Sequence, residues 1–356
     1  MRHLIDVILK NAVNVKASDV HITVGLEPTL RIHGKLKKLG NNLIRNEDVK
    51  EFIAHILREK DIETLESKGE ADLSYFILDV ARFRVNVFKQ RNSYAMVFRI
   101  IPSRVPTMEE LNLPAQVLCT LARKQRGLVL VTGPTGSGKS TTLATMIDYI
   151  NSSTGRHVIT IEDPIEYFHQ HRLSIVNQRE IGSDTLSFAN ALRAALREDP
   201  DVILVGEMRD PETISVALTA AETGHLVLST LHTVGAAKTV DRIIDTFPTG
   251  QQQQVKSQLA TVIEGVVSQQ LIPKLDGRGA VAALEIMTAV PAIRNLIRED
   301  KTYQIQSIIQ TNAKEGMRTM DNELLNYYHK GIIDAKDLVR FAIDADFVRT
   351  QLGGIF

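Results

Sequence analysis

Gly133-Pro134-Thr135-Gly136-Ser137-Gly138-Lys139-Ser140 fits GxxxxGK(S/T), with the lysine and the hydroxyl in their required places. That spacing describes a loop wrapped around a chain of phosphates. Its glycines let consecutive backbone N–H groups turn toward one anion without a Cβ in the way. A helix start behind the loop adds the positive end of its dipole. In such a loop Lys139 reaches the β- and γ-phosphates and Ser140 holds Mg²⁺, while Thr141, directly after it, joins the binding set. The pattern implies a nucleoside triphosphate as ligand.

Binding alone does not cleave a γ-phosphate. Cleavage also needs carboxylates near the metal and the attacking water. Two acidic clusters end apolar runs, Ile159-Thr160-Ile161-Glu162-Asp163-Pro164-Ile165-Glu166 and Val202-Ile203-Leu204-Val205-Gly206-Glu207. Four apolar residues ending in an acid read as a Walker B strand. Glycine stands at Gly206, where the metal-binding aspartate usually sits, so only the second acid, Glu207, remains, and a surface acid at a strand end is its plainer reading. Glu162 or Asp163 would then supply the metal-side carboxylate, although a loop or capping role suits both nearly as well.

A third segment, Thr223-Gly224-His225-Leu226-Val227-Leu228-Ser229-Thr230-Leu231-His232-Thr233, sets one histidine before a buried run and one after it. Each alone reads as a structural histidine. Together, at a strand end beside a phosphate loop, they point to a nucleotide-linked role for at least His232, whose ring nitrogen would donate to a γ-phosphate. Strand alternation also sets Arg82, Arg84 and Asn86 on one face and Phe83, Val85 and Val87 on the other, with Arg99 on the next predicted strand. Such a row is either a solvated surface or a charge clamp on a phosphoryl group, and the sequence leaves both open.

Elements must position these residues. Leu128–Val131 reads as a buried strand entering the loop, and Thr141 to Ile147 has helical spacing leaving it. Further strands are predicted at His157–Ile161, Val202–Val205, Leu226–Ser229 and Val281–Ile286, alternating with helices as in a parallel sheet. Gln251 opens a predicted helix running through Leu259, Val262, Ile263, Val266 and Val267. After Pro291 the chain reads as helical to its end. Before the ATP-type loop an α+β pattern is predicted. It has a helix with Leu4, Ile5, Ile8, Leu9 and Ala12 on one face, a strand from Asp19 to Val24, and a hairpin around Leu30-Arg31-Ile32-His33-Gly34-Lys35. A helix at 48–59 and strands at 71–75, 82–88 and 95–100 follow. Pro102-Ser103-Arg104-Val105-Pro106 breaks regular structure.

At 356 residues, two or three domains are expected. Lys+Arg and Asp+Glu both number 42, so the net charge is zero and a general nucleic-acid binder is disfavoured. The one cysteine, Cys119, makes neither a disulfide framework nor a zinc cluster and fits a reducing compartment. No apolar run reaches 18 residues, so no direct membrane span is expected. Met1-Arg2-His3-Leu4-Ile5-Asp6 leads into an amphipathic helix rather than a signal peptide, so a cytoplasmic chain is expected.

The order of these motifs resembles the hexameric secretion ATPases, and within them the type IV pilus retraction ATPases of the PilT type, over nearly the whole chain. Ala17-Ser18-Asp19-Val20-His21 looks like that family's ASDxH motif. Gly133 to Ser140 looks like its Walker A loop, Thr160 to His169 its Asp box, Asp201 to Asp210 its Walker B and Thr223 to Thr233 its His box. The glycine at Gly206 is the family's habit. Ala292-Ile293-Arg294-Asn295-Leu296-Ile297 reproduces the retraction-type AIRNLI motif, although it also suits plain helix packing with Ile293, Leu296 and Ile297 inward. Met317 to Leu325 is similar to the same type. Assembly-type relatives generally carry a long extra N-terminal domain and often a four-cysteine zinc motif, and neither is matched here.

The resemblance implies an α/β fold in which a smaller α+β PAS-like domain (residues 1–101) and a linker (102–111) precede a RecA-like P-loop NTPase domain (112–290) with a C-terminal helical region (291–356). It implies ATP and Mg²⁺ as cofactors. Glu207 would be the catalytic glutamate, Glu162 and Asp163 would lie beside the metal, and His225 and His232 would serve the nucleotide. Arg84 and Arg99 match the arginines that approach the nucleotide, and Arg82 matches less closely. It further implies a homohexameric ring in the cytoplasm, peripheral at the inner membrane through a platform protein of the pilus machine, that hydrolyses ATP to power pilus retraction and twitching motility. An assembly or type II secretion ATPase, or a non-hydrolysing accessory ring subunit, would carry similar motifs.

Overall fold

The computed structural model describes residues 3–32, 34–78, 80–101 and 104–353. Sequence readings at Met1, Arg2, His33, Pro102, Ser103 and residues 354–356 lie outside the described residues. Two compact units divide the chain, Met1–Arg104 and Val105–Phe356.

In the first unit, β1 (Asp19–Thr23), β2 (Thr29–Ile32), β3 (Lys35–Lys38), β4 (Glu70–Ile77), β5 (Ala81–Gln90) and β6 (Ser93–Ile101) form an antiparallel sheet ordered β3-β2-β1-β6-β5-β4. Alternation buries Phe83, Val85 and Val87 with Phe98 and Met96 opposite them. There they meet Ile5, Ile8, Leu9 and Ala12 of α1 (Leu4–Asn14) and Val49 and Phe52 of α2 (Asn46–Ile56). Each such fully buried side chain contributes about 1.5–3 kcal/mol. The register lines Arg31, Asp19, Arg99 and Arg84 across four adjacent strands on the other face. The helix predicted at 48–59 stops at Ile56: Leu57 turns extended, and Glu59 opens a separate helix, α3 (Glu59–Lys68).

The second unit holds a seven-stranded sheet, starting at β7 (Gly127–Thr132), β8 (His157–Glu162) and β9 (Ile175–Glu180). It continues with β10 (Val202–Val205), β11 (Leu226–Leu231), β12 (Ile263–Pro273) and β13 (Ala280–Thr288). The order is β13-β12-β7-β11-β10-β8-β9, parallel except for β13. Alternate residues of each central strand feed cores on both faces: Leu128, Leu130, Ile203 and Val205 on one, Val129, Val131, Val202 and Leu204 on the other. That two-sided burial is why these strands read as unbroken apolar runs. Helices α4 (Ala115–Ala122) and α5 (Lys139–Ser153) cover one face. On the other lie α6 (Phe188–Ala195), α7 (Pro211–Glu222), α8 (Ala236–Asp245), α9 (Thr249–Val262), α10 (Pro291–Arg298) and α11 (Ile305–Thr311). Met108 and Leu113 pack into the α4/α5 core. Beyond these, α12 (Met320–His329), α13 (Ala335–Phe341) and α14 (Ala345–Gln351) close over Ile272, Val281 and Ala283.

One expectation is corrected here and one element is added. The helix expected to run from Gln251 through Val267 ends at Val262, and Ile263, Val266 and Val267 lie in β12. The run is rich in β-branched residues and buried on both faces. A Cβ on Gly265 inside it would sit 2.8 Å from a Leu121 methyl, so a side chain there would push Leu121 aside. Strand β9 was not expected at all, because an exposed edge strand of sequence IVNQRE carries no apolar run. Helices do dominate after Pro291, broken by two 3₁₀ turns and by a bridge of Arg318 to Ile286.

Candidate functional site

In a parallel sheet the strands end together on one edge, and the register here is continuous. Thr132 of β7 lies opposite Leu231 of β11, Val205 of β10 lies opposite Ser229, and Ile161 of β8 lies opposite Val205. The residues that follow (Gly133, Glu162, Gly206, Glu207 and His232) therefore leave the sheet at one edge, although they span a hundred positions of sequence.

Gly133 to Gly138 link β7 to the first turn of α5. Gly133 (φ 140) and Gly138 (φ 86) occupy backbone that a side chain would strain. A Cβ on Gly133 would overlap the Gln269 carbonyl oxygen, and one on Gly138 would come 2.8 Å from Gln269 Nε2. The Ser137 hydroxyl is buried inside the loop without a hydrogen-bond partner. Pro134, Thr135, Gly136 and Ser140 are exposed at its rim, and Thr141 Oγ1 lies 3.1 Å from the Tyr167 hydroxyl.

Lys139 is buried and donates to the Gly133 and Pro134 carbonyls at 2.9 and 3.0 Å. Its ammonium also faces His232 Nδ1 at 3.5 Å, while His232 Nε2 meets Glu207 Oε1 at 3.0 Å. An ammonium on Nδ1 assigns the neutral ring proton to Nε2, which donates to the carboxylate. Glu207 Oε2 pairs with Arg209 at 2.7 Å. A line Lys139–His232–Glu207–Arg209 thus runs from the loop across the ends of β11 and β10. Burial pushes the Glu207 carboxyl up, but Arg209 and His232 outweigh it and hold the group below the usual carboxylate range. Burial pushes the Lys139 ammonium down, and the Glu207 charge opposes this.

Gly206 has a steric reason. Its N–H donates to the Ile161 carbonyl at 2.7 Å, and a Cβ would lie 3.1 Å from that oxygen and 3.3 Å from Glu162 Cα. An aspartate there would need β8 to give way by a few tenths of an ångström. Thr230 Oγ1 closes the same turn by donating to the Gly206 carbonyl at 2.6 Å. Asp210, the residue after Arg209, caps α7 by accepting from Thr213 N–H at 2.8 Å.

The two Asp-box acids differ. Glu162 accepts from Thr160 Oγ1 at 2.6 Å and from Gln178 Nε2 at 3.2 Å, and burial pushes its pKa up. Asp163 is exposed and adds to the negative field around Arg209. A hard cation prefers an ionised, open carboxylate, so Asp163 fits a metal's water shell better than Glu162 does. Among the described residues no group of three or more His, Cys, Asp or Glu side chains could hold a metal.

His225 lies away from this edge. It precedes β11, beside Gly127 at the start of β7, and its Nδ1 meets the Ala220 carbonyl at 2.9 Å. Parallel strands put their first and last residues at opposite edges, so within this chain His225 closes the end of α7 while His232 reaches the phosphate loop. Arg84 and Arg99 belong to the first unit, directly opposite each other on β5 and β6. Asp19 of the ASDxH segment fixes Arg99, accepting from its Nε at 3.1 Å, and lies 3.8 Å from Arg31. Arg82 Nη2 donates to Ser74 Oγ at 2.8 Å. In the AIRNLI segment Ile293 and Ile297 are fully buried and Leu296 partly so. Arg294 donates to the Ala260 and Thr261 carbonyls at 2.9 and 2.7 Å and to Glu264 at 2.7 Å, holding the junction of α9 and β12.

Sequence reasoning missed Gln269, Arg209 and Tyr167. The clue to Gln269 was a polar pair, Gln269-Gln270, inside an apolar run, since buried amides need partners.

Residues 1–285 match the family model described as type II/IV secretion system protein. The chain is 53% identical over 306 residues to a twitching motility protein of Neisseria gonorrhoeae, covering 86% of this chain and 82% of that one. It is 52% identical over 321 residues to the type IV pilus retraction ATPase PilT of Pseudomonas aeruginosa, covering 90% and 93%. A crystal structure of the pilus retraction motor PilT with bound ADP aligns with a TM-score of 0.90 at 47% identity, covering 98% of this chain and 100% of that one. The α/β expectation and the motif order agree with these likenesses, and the chain belongs to the type II/IV secretion system protein family, within its PilT-type retraction ATPases.

Proposed function

We propose that the chain binds ATP with Mg²⁺, hydrolyses it, and as a homohexameric ring uses the energy to retract a type IV pilus. The observation that carries this reading is the line Lys139–His232–Glu207–Arg209 along the phosphate loop. The loop N–H groups and Lys139 bind the β- and γ-phosphates. Ser140 and Asp163 would hold the metal, which would supply charge neutralisation on the phosphates. Glu207 stays ionised at neutral pH and orients a water against the γ-phosphorus by accepting its proton in a hydrogen bond; a carboxylate held this low is a better positioner than a full proton acceptor. His232 touches both Lys139 and Glu207, so it relates phosphate occupancy to the catalytic acid. Arg84 and Arg99 are proposed to stabilise the charge of the transferred phosphoryl group.

Among the described residues no helix is long and apolar enough to cross a membrane. From the likeness to the PilT-type retraction ATPases we further propose that the ring sits at the cytoplasmic face of the inner membrane through a platform protein of the pilus machine. A strain lacking the gene should keep its pili and lose retraction, and wild type should restore it while Glu207→Gln should not. Loss of all pili would point instead to an assembly motor, and a purified wild-type ring without turnover would point to an accessory subunit.

A further inference from the structure

The phosphate loop has a second floor. Strand β12 runs parallel to β7, with Thr132 opposite Ser268, so the next residue, Gln269, lies directly behind Gly133. Its side chain is 3% exposed and spans the loop from beneath. Nε2 donates to the Ser137 carbonyl at 2.6 Å, and Oε1 accepts from the Thr142 hydroxyl on the first turn of α5 at 2.7 Å. The Gln269 backbone oxygen fills the space a Cβ on Gly133 would need, and its amide nitrogen lies 2.8 Å from where one on Gly138 would be. One residue therefore meets the loop at its entry, its middle and its exit, and ties it to α5.

We propose that Gln269 is a positioning residue of the phosphate loop: its amide fixes the Ser137 carbonyl downward, so that the neighbouring N–H groups stay turned toward the phosphates. The physical reason is that a peptide unit has one orientation. If the Ser137 carbonyl loses its buried donor, the peptide is free to rotate, and the carbonyl then points at the anion in place of an N–H group. The same amide clamps Thr142, so the start of α5 and the loop move as one body. This inference rests on the nucleotide reading of the loop.

The test is ADP and ATP affinity by calorimetry, with kcat and KM, for the full chain carrying Gln269→Leu, Gln269→Glu and Thr142→Val. Gln269→Leu keeps the volume and removes both bonds; ADP affinity should fall about 10-fold or more, with KM for ATP rising more than kcat falls. Thr142→Val removes one bond at the loop's far end and should weaken binding about 3-fold. Gln269→Glu keeps the bond to Thr142 but sets a carboxylate against the Ser137 carbonyl. Its affinity should be below that of the Leu variant at pH 8 and recover toward it at pH 6, as protonation restores a donor to the Ser137 carbonyl. Wild-type affinity in a folded Gln269→Leu variant overturns the inference. If that variant does not fold, unchanged affinity in Thr142→Val overturns it. A wild-type chain that binds no ADP would instead overturn the nucleotide reading itself.

Discussion

Glu207→Gln is the perturbation whose outcome the geometry constrains most. Glutamine has the same shape, and its Oε1 still accepts from His232 Nε2–H, now 3.0 Å away. Its amide nitrogen would face Arg209 Nη2, donor to donor, where the carboxylate pairs at 2.7 Å. The Arg209 side chain is 74% exposed and can swing into water, so losing the pair costs the fold at most about 1 kcal/mol. Lys139 keeps its loop carbonyls, so ADP affinity should stay within about threefold of wild type. The charge proposed to orient water is lost altogether. Removing such a group typically costs about 10²- to 10⁴-fold in rate, or about 3–5 kcal/mol on the barrier. The two magnitudes differ enough to be separated by measuring steady-state ATP hydrolysis, thermal unfolding and ADP binding on one preparation. Turnover within about threefold of wild type, with unfolding unchanged, would refute the assignment of Glu207 to the water and shift attention to the Asp-box acids.

His169, buried at the end of the Asp box, has its pKa lowered from 6.5 to about 4, chiefly by burial, and its Nδ1 has no hydrogen-bond partner. Its folded pKa lies below the unfolded one, so its stabilising contribution is present above pH 6.5 and is lost as pH falls toward 4. Between pH 7 and 5 that share is about 2 kcal/mol, and His169→Leu should flatten the urea-derived stability curve by that amount; an unchanged slope would contradict it. Arg294→Ala removes three hydrogen bonds at the junction of α9 and β12, to Ala260, Thr261 and Glu264. It should lower the unfolding free energy by about 2–4 kcal/mol in denaturant titrations, with Lys recovering less than half because it lacks the planar fork.

What was legible in the sequence follows from which atoms act locally. The phosphate loop was readable because its partners are neighbours in the chain: the strand before it, the helix after it and the glycines between them. The face of β5 carrying Arg84 was readable for the same reason, since alternation is a property of one strand. The helix wrongly extended through Val267 shows the limit of local reading. Ile263, Val266 and Val267 suit either an apolar helix face or a buried strand, and a place beside β7 decides between them.

The division runs through the site itself. By itself the sequence determined the chemistry on offer: a lysine and hydroxyl on a glycine loop, acids and histidines at the ends of apolar runs, and an AIRNLI helix with Ile293 and Ile297 on one side. Only the tertiary structure decided which of them meet. His225 and His232 are equivalent in sequence, yet the parallel register sends one to each edge of the sheet. Glu162 and Asp163 are adjacent, yet one is held by Thr160 and Gln178 while the other is open. Gln269 supports the loop from 127 residues beyond Thr142, because strand order in a sheet is set by burial of both faces and leaves no periodic trace in the chain.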